Sequence, residues 1–183
     1  MKSYILSLAL LVPIISFNAH ADRVVPHVKS SKLEALIASL KKQYDLAEDD
    51  FDKNRMSEVD NLSYFIRFID EDGSPEQAKL KAYLLGAQSA YENSITHKIP
   101  WFCPDEGSDL ETRSYNGNPT LFIENMIYEA LEKDIRLDPT GFTRSNGIGA
   151  YGPVDSYIVY GLQTKYPCYE SVPKSQRVNG FIY

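Results

Sequence analysis

The stretch NPTLFIENMIYEALEKDIRLDP, residues 118–139, decides the fold class. Asn118-Pro119 opens it and Asp138-Pro139 closes it. Between them Ile123, Met126, Ile127, Ala130, Leu131 and Ile135 recur at the three- and four-residue spacing that gathers apolar side chains on one side of a helix. Proline suits the first turn of a helix, where the missing N–H would have no intrahelical partner, and interrupts a helix elsewhere. The two prolines therefore bracket one amphipathic helix.

The same grammar extends in both directions. Upstream, Asp72-Gly73 makes a turn, and Ser74-Pro75-Glu76-Gln77 supplies an N-cap, a first-turn proline and a capping-box glutamine. This predicts a helix to about Asn93 with Leu80, Tyr83, Leu84, Ala87 and Tyr91 on its buried stripe. Ala82, Gly86 and Ala90 form a second stripe of small residues. A helical glycine costs about 1 kcal/mol relative to alanine, so Gly86 predicts close approach of another helix. Leu62, Phe65, Ile66 and Ile69 predict a helix within Val59–Ile69, although the run Tyr64 to Ile69 also fits a strand. The capping box Ser31-x-x-Glu34 and the stripe Leu33, Leu36, Ile37, Leu40 and Tyr44 predict a helix over 31–47. The charged stretch Glu48 to Arg55 reads as a solvated helix end or link.

Downstream, a glycine-rich loop from Gly141 to Gly152 leads into Pro153 and a helix carrying Val154, Ile158 and Leu162, which Pro167-Cys168 terminates. Residues 94–118 are irregular, and the tail has at most a short extended piece from Arg177 to Tyr183. The reading is mostly α: a single helical bundle of about five helices with long irregular loops.

The first residues form a leader. Lys2 is followed by an apolar run from Tyr4 to Phe17, broken by Pro13, and by the small-x-small site Ala19-His20-Ala21. Cleavage before Asp22 is expected, dividing residues 1–21 from a single domain over 22–183. No window approaches the roughly 20 apolar residues of a membrane span. A bacterial periplasm fits best, and a eukaryotic secretory route satisfies the same leader. Removing Lys2 from 19 basic residues leaves 18 against 25 acids, a net charge of −7. Such a balance argues against nucleic acid as a partner, because phosphate polyanions are bound by basic surfaces.

The only cysteines are Cys103 and Cys168, 65 positions apart. In an oxidising compartment they are expected to form one structural disulfide, worth roughly 4 kcal/mol on a loop-entropy model. A catalytic thiol would need a neighbouring base, and the mature chain offers only His27 and His97.

Motifs for chemistry are thin. Gly147-Ile148-Gly149-Ala150-Tyr151-Gly152 spells G-x-G-x-x-G, but no strand precedes it and no β-α-β unit surrounds it. Asp70, Asp72, Ser74 and Glu76 alternate around Gly73 without the ligand order of a calcium loop. Two histidines without paired spacing leave too few ligands for zinc. G-x-S-x-G and H-E-x-x-H are missing, and no carboxylate pair stands out for glycoside hydrolysis. No catalytic, cofactor-binding or metal-binding residue is assigned; binding is the expected activity.

From Leu80 onward a longer pattern emerges: Leu80-Lys81-Ala82-Tyr83-Leu84-Leu85-Gly86-Ala87, then Trp101-Phe102-Cys103-Pro104, the helix ending near Pro139, and a last helix closing with Tyr166-Pro167-Cys168. Over residues 80–168 this resembles the Rap1a/Tai family of type VI secretion immunity proteins, W-x-C-P and the final P-C being its most specific parts. The resemblance implies a small, exported, helical and often dimeric protein that neutralises a toxic effector, a peptidoglycan amidase in the periplasm. It also implies a Cys103–Cys168 bridge with Trp101 packed beside it. The segment after Cys103 and the Gly141–Gly152 loop are longer than that family's core requires, and residues 22–73 have no counterpart in it. Long irregular segments on a helical body suit recognition. The expected partner surface is thus Asp105, Glu106, Asp109, Glu111, Tyr115 and Asn116 with Phe142, Arg144 and Tyr151. A basic cell-wall amidase would complement the acidic chain. Two other classes fit the same composition: a periplasmic acid-stress chaperone of the HdeA type, and an envelope enzyme with unrecognised carboxylates.

Overall fold

Each helix begins where a side chain or a neighbouring carbonyl satisfies its first N–H groups. The structure, a computed structural model, describes residues 24–96, 102–103, 117–138, 140 and 152–167. Helix α1 spans Ser31–Leu46, and its cap is Ser30, whose hydroxyl accepts from the Leu33 N–H at 3.2 Å. The cap thus falls one residue before the Ser31 of the capping-box reading. Ser30 is held there because its own N–H and Oγ–H both donate to the Glu132 carboxylate at 2.8 Å.

The charged stretch after α1 is a helix in its own right, correcting the reading of a solvated helix end or link. α2 covers Asp50–Met56, capped by Asp49 onto the Phe51 N–H at 2.8 Å. Asp50 and Asp52 lie in its first turn and Lys53 and Arg55 in its last, the order that complements the helix dipole. α3, Leu62–Phe68, is capped by Asn61 onto Ser63 at 3.0 Å and settles the choice between strand and helix there. α4 runs Pro75–Thr96. Ser74 caps Gln77 at 3.0 Å, while the Gln77 amide accepts from the N–H of Gly73, which turns at φ 79°. Asp72 accepts from Gln77 and Asp70 pairs with Lys29, so these carboxylates serve the turn and its neighbours.

α5, Leu121–Leu137, is the centre of the domain. Twelve of its 17 residues are buried, so it is enclosed around most of its circumference rather than on one stripe. The expected stripe forms its inner face, with Ile123, Met126, Ile127, Ala130 and Leu131 fully buried. Around it pack Leu33 and Leu40 of α1, Leu62, Phe65 and Ile66 of α3, and Leu80 and Leu84 of α4. The most extensive contact is with α6, Val154–Lys165, through Val154, Tyr157, Ile158 and Leu162. Among the described residues there are six helices and no strand, and no helix is long and apolar enough to cross a membrane.

Close helix approach occurs at a glycine other than the expected one. A Cβ on Gly86 would meet nothing within 4 Å, whereas one on Gly161 would lie 2.2 Å from the Met126 carbonyl oxygen. Gly86 sits on an exposed part of α4, so its small size serves no contact seen among the described residues.

Two further devices hold the bundle. Residues 24–30 form a strap along α5: the His27 N–H donates to Asn125 Oδ1 at 2.9 Å, Asn125 Nδ2 donates to the Val25 carbonyl at 2.8 Å, and Lys29 lies over the Tyr128 ring. This places Asn125, a polar residue inside the central helix, at a satisfied position. Elsewhere α3 and α6 cap one another. The Leu62 N–H donates to the Gly152 carbonyl at 2.9 Å and the Val154 N–H to the Asp60 carbonyl at 2.6 Å, flanking an antiparallel bridge of Asn61 with Pro153. Pro153 has no side chain able to cap α6, so the α3 side supplies the acceptor.

Candidate partner-binding face

Asp105, Glu106, Asp109, Glu111, Tyr115, Asn116, Phe142, Arg144 and Tyr151 all lie outside the described residues, as do Trp101, Cys168 and the tail from Tyr169. What the structure does give is the four points at which the segments 104–116 and 141–151 meet the body.

The first segment leaves the body at Phe102 and Cys103. Phe102 is fully buried, and the half-buried Cys103 donates its N–H to the Tyr166 carbonyl at 2.9 Å. Tyr166 follows the last turn of α6, and its ring stacks on Phe122 of α5 with centroids 6.4 Å apart. The segment rejoins the body at Gly117 and Asn118. Gly117 turns at φ 81°, a left-handed conformation that L side chains adopt only at a cost.

Asn118 is then fixed on every edge. Its Oδ1 accepts from Lys81 at 3.1 Å and from the Thr120 N–H at 3.1 Å, and its Nδ2 lies 3.2 Å from both oxygens of Glu124. The Thr120 hydroxyl sits 2.5 Å from Glu124 Oε1. Lys81 forms an ion pair with the same carboxylate, which is almost wholly buried. A buried carboxylate is stable only when paired and hydrogen-bonded, and Glu124 has Lys81, Asn118 and Thr120 as partners. Both ends of segment 104–116 therefore converge on the first turn of α5.

The second segment leaves after Asp138, whose N–H donates to the Asp134 carbonyl at 2.8 Å and whose carboxylate accepts from Thr140. It returns at the buried Gly152, the acceptor in the reciprocal cap with α3. Asp134 itself is buried in α5, and burial pushes its carboxyl up to about 6, with Lys133 opposing. Burial also raises Tyr83 to about 12, assisted by Asp155 and Asp60 beside the reciprocal cap.

In the sequence Lys81 stands out only as part of the α4 run, and Glu124 and Thr120 carry no marked role. Their signal was the spacing of Asn118, Thr120 and Glu124 at the head of a helix; nothing in it pointed to Lys81. Chemically the arrangement holds and orients backbone. Among the described residues no group of three or more His, Cys, Asp or Glu side chains is placed to hold a metal ion. Comparison with family models, curated proteins and solved structures yields no match to this chain.

Proposed function

We propose that this chain is an exported immunity-type protein that binds and neutralises a toxic effector, a peptidoglycan amidase acting in the periplasm, through segments 104–116 and 141–151 and without catalysis of its own. The observation that carries the reading is the convergence of both ends of the first segment on α5, through Cys103 to Tyr166 and Phe122 on one side and through Asn118 to Glu124 on the other. A segment whose ends are fixed loses less freedom on binding than one hung from mobile ends, which favours affinity. The W-x-C-P and P-C phrases and the leader support the family and the compartment, and the mature charge of −7 suits a basic hydrolase.

The reading includes a Cys103–Cys168 disulfide. Cys168 follows Tyr166 by two residues, and the Cys103 backbone is hydrogen-bonded to Tyr166. Two residues span at most about 7 Å, comparable with the 5–6 Å between Cα atoms across a bridge. The acid-stress chaperone alternative requires apolar surface to emerge as pH falls, whereas the raised Asp134 contributes stability in mild acid.

A deletion strain supplies the test. Sensitivity to a toxin from sister cells, rescued by the wild-type chain and not by charge reversal at Asp105, Glu106 and Asp109, is expected. An insensitive strain, with purified protein that captures no envelope hydrolase, overturns the proposal.

A further inference from the structure

α1, α3, the end of α2 and the start of α4 line a groove of about 380 Å³ formed by Tyr44, Ser57, Tyr64, Arg67, Phe68, Pro75, Glu76 and Lys79. Arg67 is its organising residue. The guanidinium carbon lies 3.5 Å from the Tyr44 ring centroid and 4.7 Å from that of Phe68. Its Nη2 donates to the Met56 carbonyl at 2.6 Å and its Nε to the Ser63 carbonyl at 3.4 Å. These contacts fix the guanidinium plane and use two of its five N–H groups. No carboxylate lies within ion-pair distance of Arg67 or Lys79 among the described residues, while Lys79 stands 5.5 Å from the Tyr64 ring centroid.

A partly buried arginine normally has an acidic partner, because losing water around a cation is costly unless an anion replaces it. Here aromatic faces, two carbonyls and the Tyr44 hydroxyl meet part of that need and leave the remaining N–H groups unassigned. The groove thus carries two cations against one carboxylate, Glu76, on a chain whose overall charge is −6. Hydrogen bonding of Tyr44 to Ser57, with the Arg67 charge beside it, also draws its phenol below the usual tyrosine range, in keeping with positive potential there.

We infer that this groove binds a small monoanionic carboxylate carried on an apolar body, such as an N-acylated hydrophobic amino acid or the C-terminal residue of a short peptide. The carboxylate takes the unassigned guanidinium N–H groups, a geometry for which arginine's planar fork is suited. Lys79 adds a second positive charge at the rim. Tyr44, Tyr64, Phe68 and Pro75 receive the apolar body, and the volume lies within the range of small-ligand pockets. Glu76 leaves a net charge of one, which selects a monoanion over a phosphate dianion.

Protein-observed NMR titration of the full mature chain with N-acetyl-L-phenylalanine tests this. Saturable shifts at Tyr44, Arg67 and Lys79 are expected, with N-acetyl-L-phenylalanine amide binding at least tenfold more weakly. Lys79→Gln, an exposed position, weakens binding about fivefold, and Glu76→Gln strengthens it about threefold. Arg67→Lys keeps the charge, removes the fork and weakens binding tenfold. If that variant fails to fold, the Lys79 and Glu76 variants carry the test alone. A tetrapeptide ending in phenylalanine that binds tenfold tighter than the acyl amino acid identifies a peptide terminus as the source; equal affinity identifies the small molecule. Equal binding of acid and amide, no saturable shift, or Glu76→Gln without gain overturns the proposal.

Discussion

Gly161 of α6 faces the backbone of Met126 in α5 so closely that a Cβ would stand 2.2 Å from the Met126 carbonyl oxygen and 2.8 Å from its carbonyl carbon. These are backbone atoms in the middle of the central helix, with no flexible side chain to swing aside. Gly161→Ala is expected to lower stability by about 1–3 kcal/mol through overpacking. Gly86→Ala, on an open stretch of α4, should raise it by about 1 kcal/mol through helix propensity. Urea unfolding of both variants checks the opposite signs.

Asp134 sets a pH dependence. Burial raises its folded pKa to about 6 from an ordinary value of 3.8, so the folded state favours the neutral acid. Its contribution to stability is full below 3.8 and is lost as pH rises through about 6. Asp134→Asn should therefore be more stable than wild type at pH 7 by about 2 kcal/mol and indistinguishable from it near pH 3.5. Thermal melts across that range read the difference directly.

Removing Lys81 strands the Glu124 carboxylate with only Asn118 and Thr120 as partners. Lys81→Met should cost about 2–3 kcal/mol, while Lys81→Met with Glu124→Leu should recover much of that loss. A double-mutant cycle in denaturant measures the coupling.

Cys103 and Cys168 should both resist alkylation in protein purified from an oxidising compartment, and non-reducing peptide mapping should recover them as one linked pair. Reduction is expected to lower stability by roughly 4 kcal/mol. Two freely alkylated thiols would remove the bridge from the proposal.

Much of the helical framework was legible because its signals are local. Ser74-Pro75 and the stripe through Ile135 act within a few residues of themselves, and α4, α5 and α6 formed where those signals stand. α2 was missed because its charges satisfy the helix dipole while resembling a solvated link. The burial of Glu124 and Asn125 was illegible for a different reason: Lys81 comes to Glu124 from α4 and the strap comes to Asn125 from the far end of the described chain. Gly161 carried no mark distinguishing it from Gly86, since only the neighbouring helix decides which glycine is crowded. Arg67 lay inside an apolar run and drew no attention, because the Tyr44 ring on which it stacks comes from another helix, α1.

The mutual capping of α3 and α6 also bears on how the chain acquires its shape. The Leu62 N–H bonds to the Gly152 carbonyl and the Val154 N–H to the Asp60 carbonyl, so each helix gains the full set of partners for its first turn only when two distant parts of the chain have met. Helical bundles usually fold fast because their contacts are local, and each non-local closure slows the search. Such a lock leaves each helix poorly nucleated alone, and the pair becomes persistent only once residues 60–62 and 152–154 have met.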